Sequence, residues 1–297
     1  MRAQLAVGLG SVALAAVAAC TNDTGPVAPT AARAASSALT PSAVGQTIYA
    51  LTTSDRLVRF SSADACTITS EVVVTGLGVG ETLLAIDVRP ATGQLYGLGS
   101  SSRLYTIDPA TGAATALGSG PFTPALSGDA FGFDFNPTVD RIRVVSNTGQ
   151  NLRLNPITGT VAATDRALAY ASTDVNAGEI PSIIGAAYTN PDNDPATGTL
   201  LYDIDRQLGA LTTQNPPNDG TLNTVGSLGA KLNDLAGFDI APSGIAYAVL
   251  KVTGKDQPKH TCGNSDLYTI NLQSGAATRI GSVGTSAPLR GIATPAP

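Results

Sequence analysis

The stretch Ile86-Asp87-Val88-Arg89-Pro90-Ala91-Thr92-Gly93-Gln94-Leu95-Tyr96, continued after a polar loop by Leu104-Tyr105-Thr106-Ile107-Asp108-Pro109-Ala110-Thr111-Gly112, decides how the rest of the chain is read. It contains runs that alternate apolar and polar residues, each ended by Pro, Thr and Gly, which is the pattern of short antiparallel strands joined by tight turns. Its first half returns as Phe133-Asp134-Phe135-Asn136-Pro137 and Phe238-Asp239-Ile240-Ala241-Pro242, and in degenerate form as Tyr188-Thr189-Asn190-Pro191. The second half returns as an alternating run ending at Asn155 before Gly159, at Asn215 before Gly220 and at Asn271 before Gly275. Pro90, Pro137, Pro191 and Pro242 follow one another at 47, 54 and 51 residues, a spacing that marks a repeat architecture.

A unit of about fifty residues with four short strands cannot bury both of its faces alone, so it must pack against copies of itself. Radial closure of such units makes a β-propeller. Residues 46–297 have room for five, and the two ends of this region are complementary. Ile48-Tyr49-Ala50-Leu51 matches Leu95-Tyr96-Gly97-Leu98 and so lacks a preceding inner strand, whereas Leu289-Arg290-Gly291-Ile292-Ala293 matches an inner strand with nothing after it. The expected fold is therefore all-β: a five-bladed propeller of four-stranded antiparallel blades, closed by the C-terminal strand completing the N-terminal blade. An open β-solenoid is the alternative, and it leaves both end faces uncapped.

Composition sets limits on chemistry. Charged residues are only 13% of the 297 and hydrophobic ones 43%, which suits a folded core rather than disorder. A formal net charge of −5 provides no electrostatic footprint for nucleic acid. With one histidine, His260, there is no material for a multi-His metal site and little for a His-centred triad.

The N-terminus reads as an address. Arg2 precedes an apolar run from Leu5 to Val17, which ends in Val17-Ala18-Ala19-Cys20. The run is too short to span a bilayer and has the form of an export signal. Its last four residues resemble the lipobox of bacterial lipoproteins. Residues 1–19 are expected to be a lipoprotein signal peptide, Cys20 the lipidated residue, 20–45 a flexible tether and 46–297 the propeller. The alternative is an ordinary secretory signal cut near Ala19. The expected location is the bacterial cell envelope, with the domain outside the cytoplasm, monomeric, and in contact with membrane only through its anchor.

The repeats, with Ala187-Tyr188-Thr189-Asn190, Gln214-Asn215-Pro216-Pro217-Asn218-Asp219-Gly220 and Asp266-Leu267-Tyr268-Thr269-Ile270-Asn271, resemble the bacterial domain-of-unknown-function family four-three-nine-four over about residues 46–292. The resemblance implies an exported propeller-type protein with no established activity. It carries over no catalytic residue.

Several residues are candidates for chemistry. Cys66 and Cys262 lie in the first and last units, which closure makes neighbours, and an exported protein sits where disulfides persist. A disulfide between them is expected: the repeat alignment puts them at turns on opposite faces, but the loop from Lys251 to Ser265 is long enough to fold back, and the alternative is two isolated thiols. Asp87, Asp134 and Asp239 share one slot of the inner strand. They are expected to cap the following turn or to pair with Arg89, Arg143 or Arg290, with a channel carboxylate cluster as the functional alternative. Glu81, Asp129 and Asp234 precede those aspartates in the loops that feed the inner strands and are expected to meet at the channel mouth. Asp174 and Glu179 belong to an irregular connection, 165–180, where specificity would be placed. No cofactor is expected; Ca²⁺ is the one ion that these carboxylates would suit. His260 is expected on a solvent-exposed loop.

Two functions remain open on these residues. One is a lipid-anchored, non-catalytic module that binds an envelope protein or glycan. The other is a hydrolase of glycosidase type using two carboxylates from different blades.

Overall fold

The computed structural model describes residues 45–192, 194–253 and 259–296, with the side chains of 233–235 excepted. The segments expected to be a signal peptide and a tether, with Cys20, fall outside the described residues except for Gly45. The chain opens with β1 (Thr47–Thr52), β2 (Arg56–Ser61) and β3 (Asp64–Val73). The next unit is β4 (Leu83–Val88), β5 (Leu95–Gly99), β6 (Arg103–Ile107) and β7 (Ala114–Leu117). The third is β8 (Phe131–Asn136), β9 (Arg141–Ser146), β10 (Asn151–Leu154) and β11 (Val161–Thr164). There follow β12 (Ala169–Tyr170), β13 (Ile183–Tyr188), β14 (Leu201–Asp205), β15 (Ala210–Gln214) and β16 (Thr221–Ser227). The last are β17 (Leu232–Ile240), β18 (Ala246–Val252), β19 (Ser265–Ile270), β20 (Ala277–Val283) and β21 (Leu289–Ala293).

These strands form five sheets, the blades of a propeller, with β4, β8, β13, β17 and β21 innermost. β21 pairs antiparallel with β1, from Tyr49 opposite Ala293 to Thr52 opposite Leu289, and so completes the first blade as expected. The fourth blade has one strand more than the repeat called for. Part of the irregular connection, β12, runs parallel to β16 and adds itself to that blade's outer edge.

Small residues set the width of the channel. Two positions before the shared aspartate slot stand Ala85, Gly132, Gly185, Gly237 and Gly291. A Cβ on Gly132 would lie 2.6 Å from that of Ala186, and one on Gly237 2.6 Å from the carbonyl carbon of Gly291. The inner strands therefore approach almost backbone to backbone and leave a void of only about 10 Å³ between them. That is about the room of one water.

A second set of glycines joins the blades at their rims. Gly112, Gly159, Gly220 and Gly275 end the turns before the outer strands, all at positive φ. Each abuts the outer strand, or its end, in the preceding blade: a Cβ on Gly159 would lie 2.7 Å from the Leu117 carbonyl oxygen, and one on Gly220 2.5 Å from that of Ala167. An L side chain is excluded there both by the left-handed conformation and by the neighbour. The first blade has Ser61-Ser62-Ala63-Asp64 at this turn instead, and its seam is closed by the Cys66–Cys262 disulfide, with Cα atoms 5.9 Å apart. Strand twist resolves the objection raised by the repeat alignment. Twist accumulating across each blade tilts its outer strand, so the start of β3 reaches the end of β20, where Gly284 N–H donates to the Ala65 carbonyl at 3.1 Å.

Between the blades the core is aliphatic and aromatic. Tyr96 and Phe135, for example, meet edge to face at 5.0 Å across the second and third blades. A charged side chain is buried there as well. Arg143, buried between the third and fourth blades, donates to Asn151 at 2.7 Å, Asp165 at 2.6 Å, Asn218 at 2.8 Å and the Tyr188 hydroxyl at 3.3 Å.

Candidate functional site

Closure draws the three strand aspartates together. In the five inner strands their slot is held in turn by Asp87, Asp134, Ala187, Asp239 and Ala293. Because the strands lie so close, one carboxylate oxygen from each of Asp87, Asp134 and Asp239 falls within 4.8 Å of the other two. Among the described residues no other group of three or more His, Cys, Asp or Glu meets that test.

Each of these side chains clasps the next blade. Asp87 accepts the Val88 N–H at 2.6 Å with one oxygen and the Phe135 N–H at 2.8 Å with the other. Asp134 accepts the Tyr188 N–H at 2.8 Å. Asp239 accepts its own Ile240 N–H at 2.6 Å, then the Thr294 N–H at 2.5 Å and hydroxyl at 2.7 Å. The expected arginine partners are a correction. Arg89 pairs with Asp140, Arg143 with Asp165, and Arg290 donates to the carbonyls of Thr53 at 2.6 Å and Leu83 at 2.9 Å. Arg290 sits where the inner strands begin and the aspartates where they end, so the length of the channel separates them.

Burial pushes the carboxyls of Asp87 and Asp134 well above the ordinary range, and the negative charge of their neighbours pushes the same way; burial also raises Asp239. Groups raised in the folded state add stability below their unfolded pKa of about 3.9 and lose it as pH rises through the folded values. Glu81 and Asp174 are lowered and act in the opposite direction. The channel's share is isolated by comparison: the melting temperature of wild type minus that of Asp134→Asn is expected to fall as pH rises from about 4 toward 7. A difference independent of pH would mean that the cluster does not store protons.

The loop acids turn to their own blades. Glu81 accepts from the Ser101 hydroxyl at 2.5 Å and N–H at 3.2 Å, the Tyr105 hydroxyl at 2.5 Å and the Gly78 N–H at 3.3 Å. Burial raises its carboxyl, but these four donors outweigh burial and hold it below the ordinary value. Asp129 accepts from the Asn147 side chain at 2.5 Å. Asp174 accepts from the Thr224 N–H at 2.6 Å and hydroxyl at 2.8 Å, and from the Asn176 N–H at 2.8 Å. Asp234 lies on β17, and its side chain is outside the described residues. Glu179 is exposed, with Val175 and Ile180 bare to solvent around it. His260 is half-buried rather than exposed, its Nδ1 3.4 Å from the Asp266 carboxylate.

The sequence did not single out the groove and the bare side chains of the loop face. A groove of about 430 Å³ opens beside Glu81, lined by Leu77, Val79, Ser101, Arg103, Tyr105 and Pro121. Val79, Val175 and Ile180 all stand in connections from an outer strand to the next inner one, which open on one face of the ring. Val139 and Ile157, exposed in hairpin turns of the third blade, are on the opposite face. Loop residues obey no period, so only the fold could group them.

Among the described residues no helix is long and apolar enough to cross a membrane. No curated protein matches the chain. One family model does, over residues 56–293, and on that match the chain belongs to the family described as Domain of unknown function (DUF4394).

Proposed function

We propose that this propeller is exported, held in the cell envelope by lipid on Cys20, and acts as a non-catalytic module that binds an envelope protein or glycan through its loop-bearing face. The observation that carries this reading is the division between the two ends of the inner strands. The clustered carboxylates are occluded and engaged in holding blades together, whereas the groove beside Glu81 and the bare Val79, Val175 and Ile180 share the loop face. A groove with apolar walls and a polar rim is a common form of interaction site. Glu81 and Asp174 shape that face through their hydrogen bonds, and Glu179 is the acid left to meet a partner. A glycosidase needs two carboxylates about 5 to 9.5 Å apart flanking an accessible bond. Asp87, Asp134 and Asp239 are packed closer and closed to solvent, so the hydrolase reading draws no support from them.

Two measurements test the proposal. Cys20→Ser should move the protein from the membrane to the soluble fraction; unchanged membrane association would remove the anchor from the account. Retention of residues 46–297 on isolated envelopes should drop at least tenfold when Val175 and Ile180 are both changed to Asp, and should survive Asp87→Asn. Equal retention by both variants would place binding elsewhere.

A further inference from the structure

The face of the fourth blade that packs toward the third carries buried acceptors with no donor. Asp203, on β14, is 0% exposed, and neither of its carboxylate oxygens receives a hydrogen bond. Gln214, on β15, is also 0% exposed. Its amide nitrogen donates to the Pro217 carbonyl at 2.6 Å, and its Oε1 has no partner. The register sets Asp203 opposite Thr212 and Leu201 opposite Gln214, so Asp203 and Gln214 are diagonal neighbours on one face of two paired strands. Side chains so placed are within reach of each other. The site is roofed by the extra strand, since Leu168 and Tyr170 pack with Leu201, Leu222 and Val145.

Charge on this face is unbalanced. Asp205, next along β14 on the same side, is buried and accepts the Tyr170 hydroxyl at 2.7 Å, and Asp174 closes the roof on Thr224. The nearby cation, Arg143, is engaged by Asp165, Asn151, Asn218 and Tyr188 and gives no bond to Asp203. Three buried acceptors therefore stand on one face of β14 and β15 without a donor. A proton on Asp203 would satisfy one of the others, and a water has two hydrogens to give. A cation satisfies all three together and offsets the carboxylate.

We infer that Asp203 and Gln214 hold a hard, oxygen-seeking cation of the Ca²⁺ class between the third and fourth blades, with both Asp203 oxygens and Gln214 Oε1 as ligands and water completing the shell. This site is distinct from the channel aspartates and from the loop face. Binding there does not depend on the proposed function.

The test uses the folded protein and the metals themselves. Elemental analysis of native protein dialysed against metal-free buffer should find about one divalent ion per chain. Refolding in chelator should lower the melting temperature by roughly 5 to 10 °C, restored by Ca²⁺. Asp203→Asn should abolish the bound metal, whereas Asp239→Asn keeps it. Metal-free native protein whose melting is indifferent to Ca²⁺, Mg²⁺ and Na⁺ overturns the inference, and so does metal retained by Asp203→Asn. The wild-type arms need no variant to fold, and Gln214→Met, which removes one ligand at similar volume, should weaken Ca²⁺ binding at least tenfold; unchanged binding there also counts against the site.

Discussion

A chain ending at Pro288 is expected to lose the cooperative unfolding transition of the intact domain. The strand it lacks, β21, buries Leu289, Ile292 and Ala293 at the centre of the ring. The two larger side chains contribute about 1.5 to 3 kcal/mol each by their burial. Asp239 would lose the Thr294 N–H and hydroxyl that satisfy it, at a cost of about 1 to 3 kcal/mol. Together these losses approach the entire stability of a typical domain, about 5 to 15 kcal/mol. The inner edge of β1 would also be left unpaired, an invitation to aggregate. Calorimetry decides the matter: a truncated chain that melts with the enthalpy and midpoint of the full one would mean that the ring is not closed by β21.

Loss of the disulfide should cost somewhat less. Cys66 and Cys262 are 196 residues apart, so the bridge closes most of the propeller into one loop. On the chain-entropy account such a cross-link stabilises by up to about 5 kcal/mol, and removal of native disulfides costs about 2 to 5. For a domain of this size that corresponds to roughly 5 to 20 °C in melting temperature. The effect is reinforced by its position, since this seam lacks the glycine turn that joins the other blades. The Cys66→Ser, Cys262→Ser double variant should therefore melt well below the oxidised wild type. Coincident melting curves, or two free thiols in protein made in an oxidising compartment, would contradict this.

What could be read from residues alone followed the period of the repeat. The prolines at 90, 137, 191 and 242 located the blades, and the mismatch between Ile48-Tyr49-Ala50-Leu51 and Leu289-Ile292 located the closure, because both are local patterns copied at fixed spacing. The ring of Ala85, Gly132, Gly185, Gly237 and Gly291 was as legible as the aspartates two residues later, and it is what brings those aspartates together. The partners of individual side chains were less legible. Glu81 is held by Ser101 and Tyr105, about twenty residues away on the next hairpin, and no spacing rule reaches that far. Leu201, Asp203 and Asp205 alternate like a strand with one wet face, yet β12 and the third blade cover that face. Coverage of that kind is a property of the assembled ring.

In the proposed function one face of this ring meets a partner while the channel acids only hold the ring closed. Photo-cross-linking in the cells that make the protein tests it directly. A photoreactive amino acid should replace Val79, Val175 or Ile180 on the loop face, and Val139 or Ile157 on the other, all exposed positions whose substitution spares the core. Discrete adducts are expected from the first three sites and none from the last two. Adducts confined to Val139 and Ile157, or absent from every site, would contradict it.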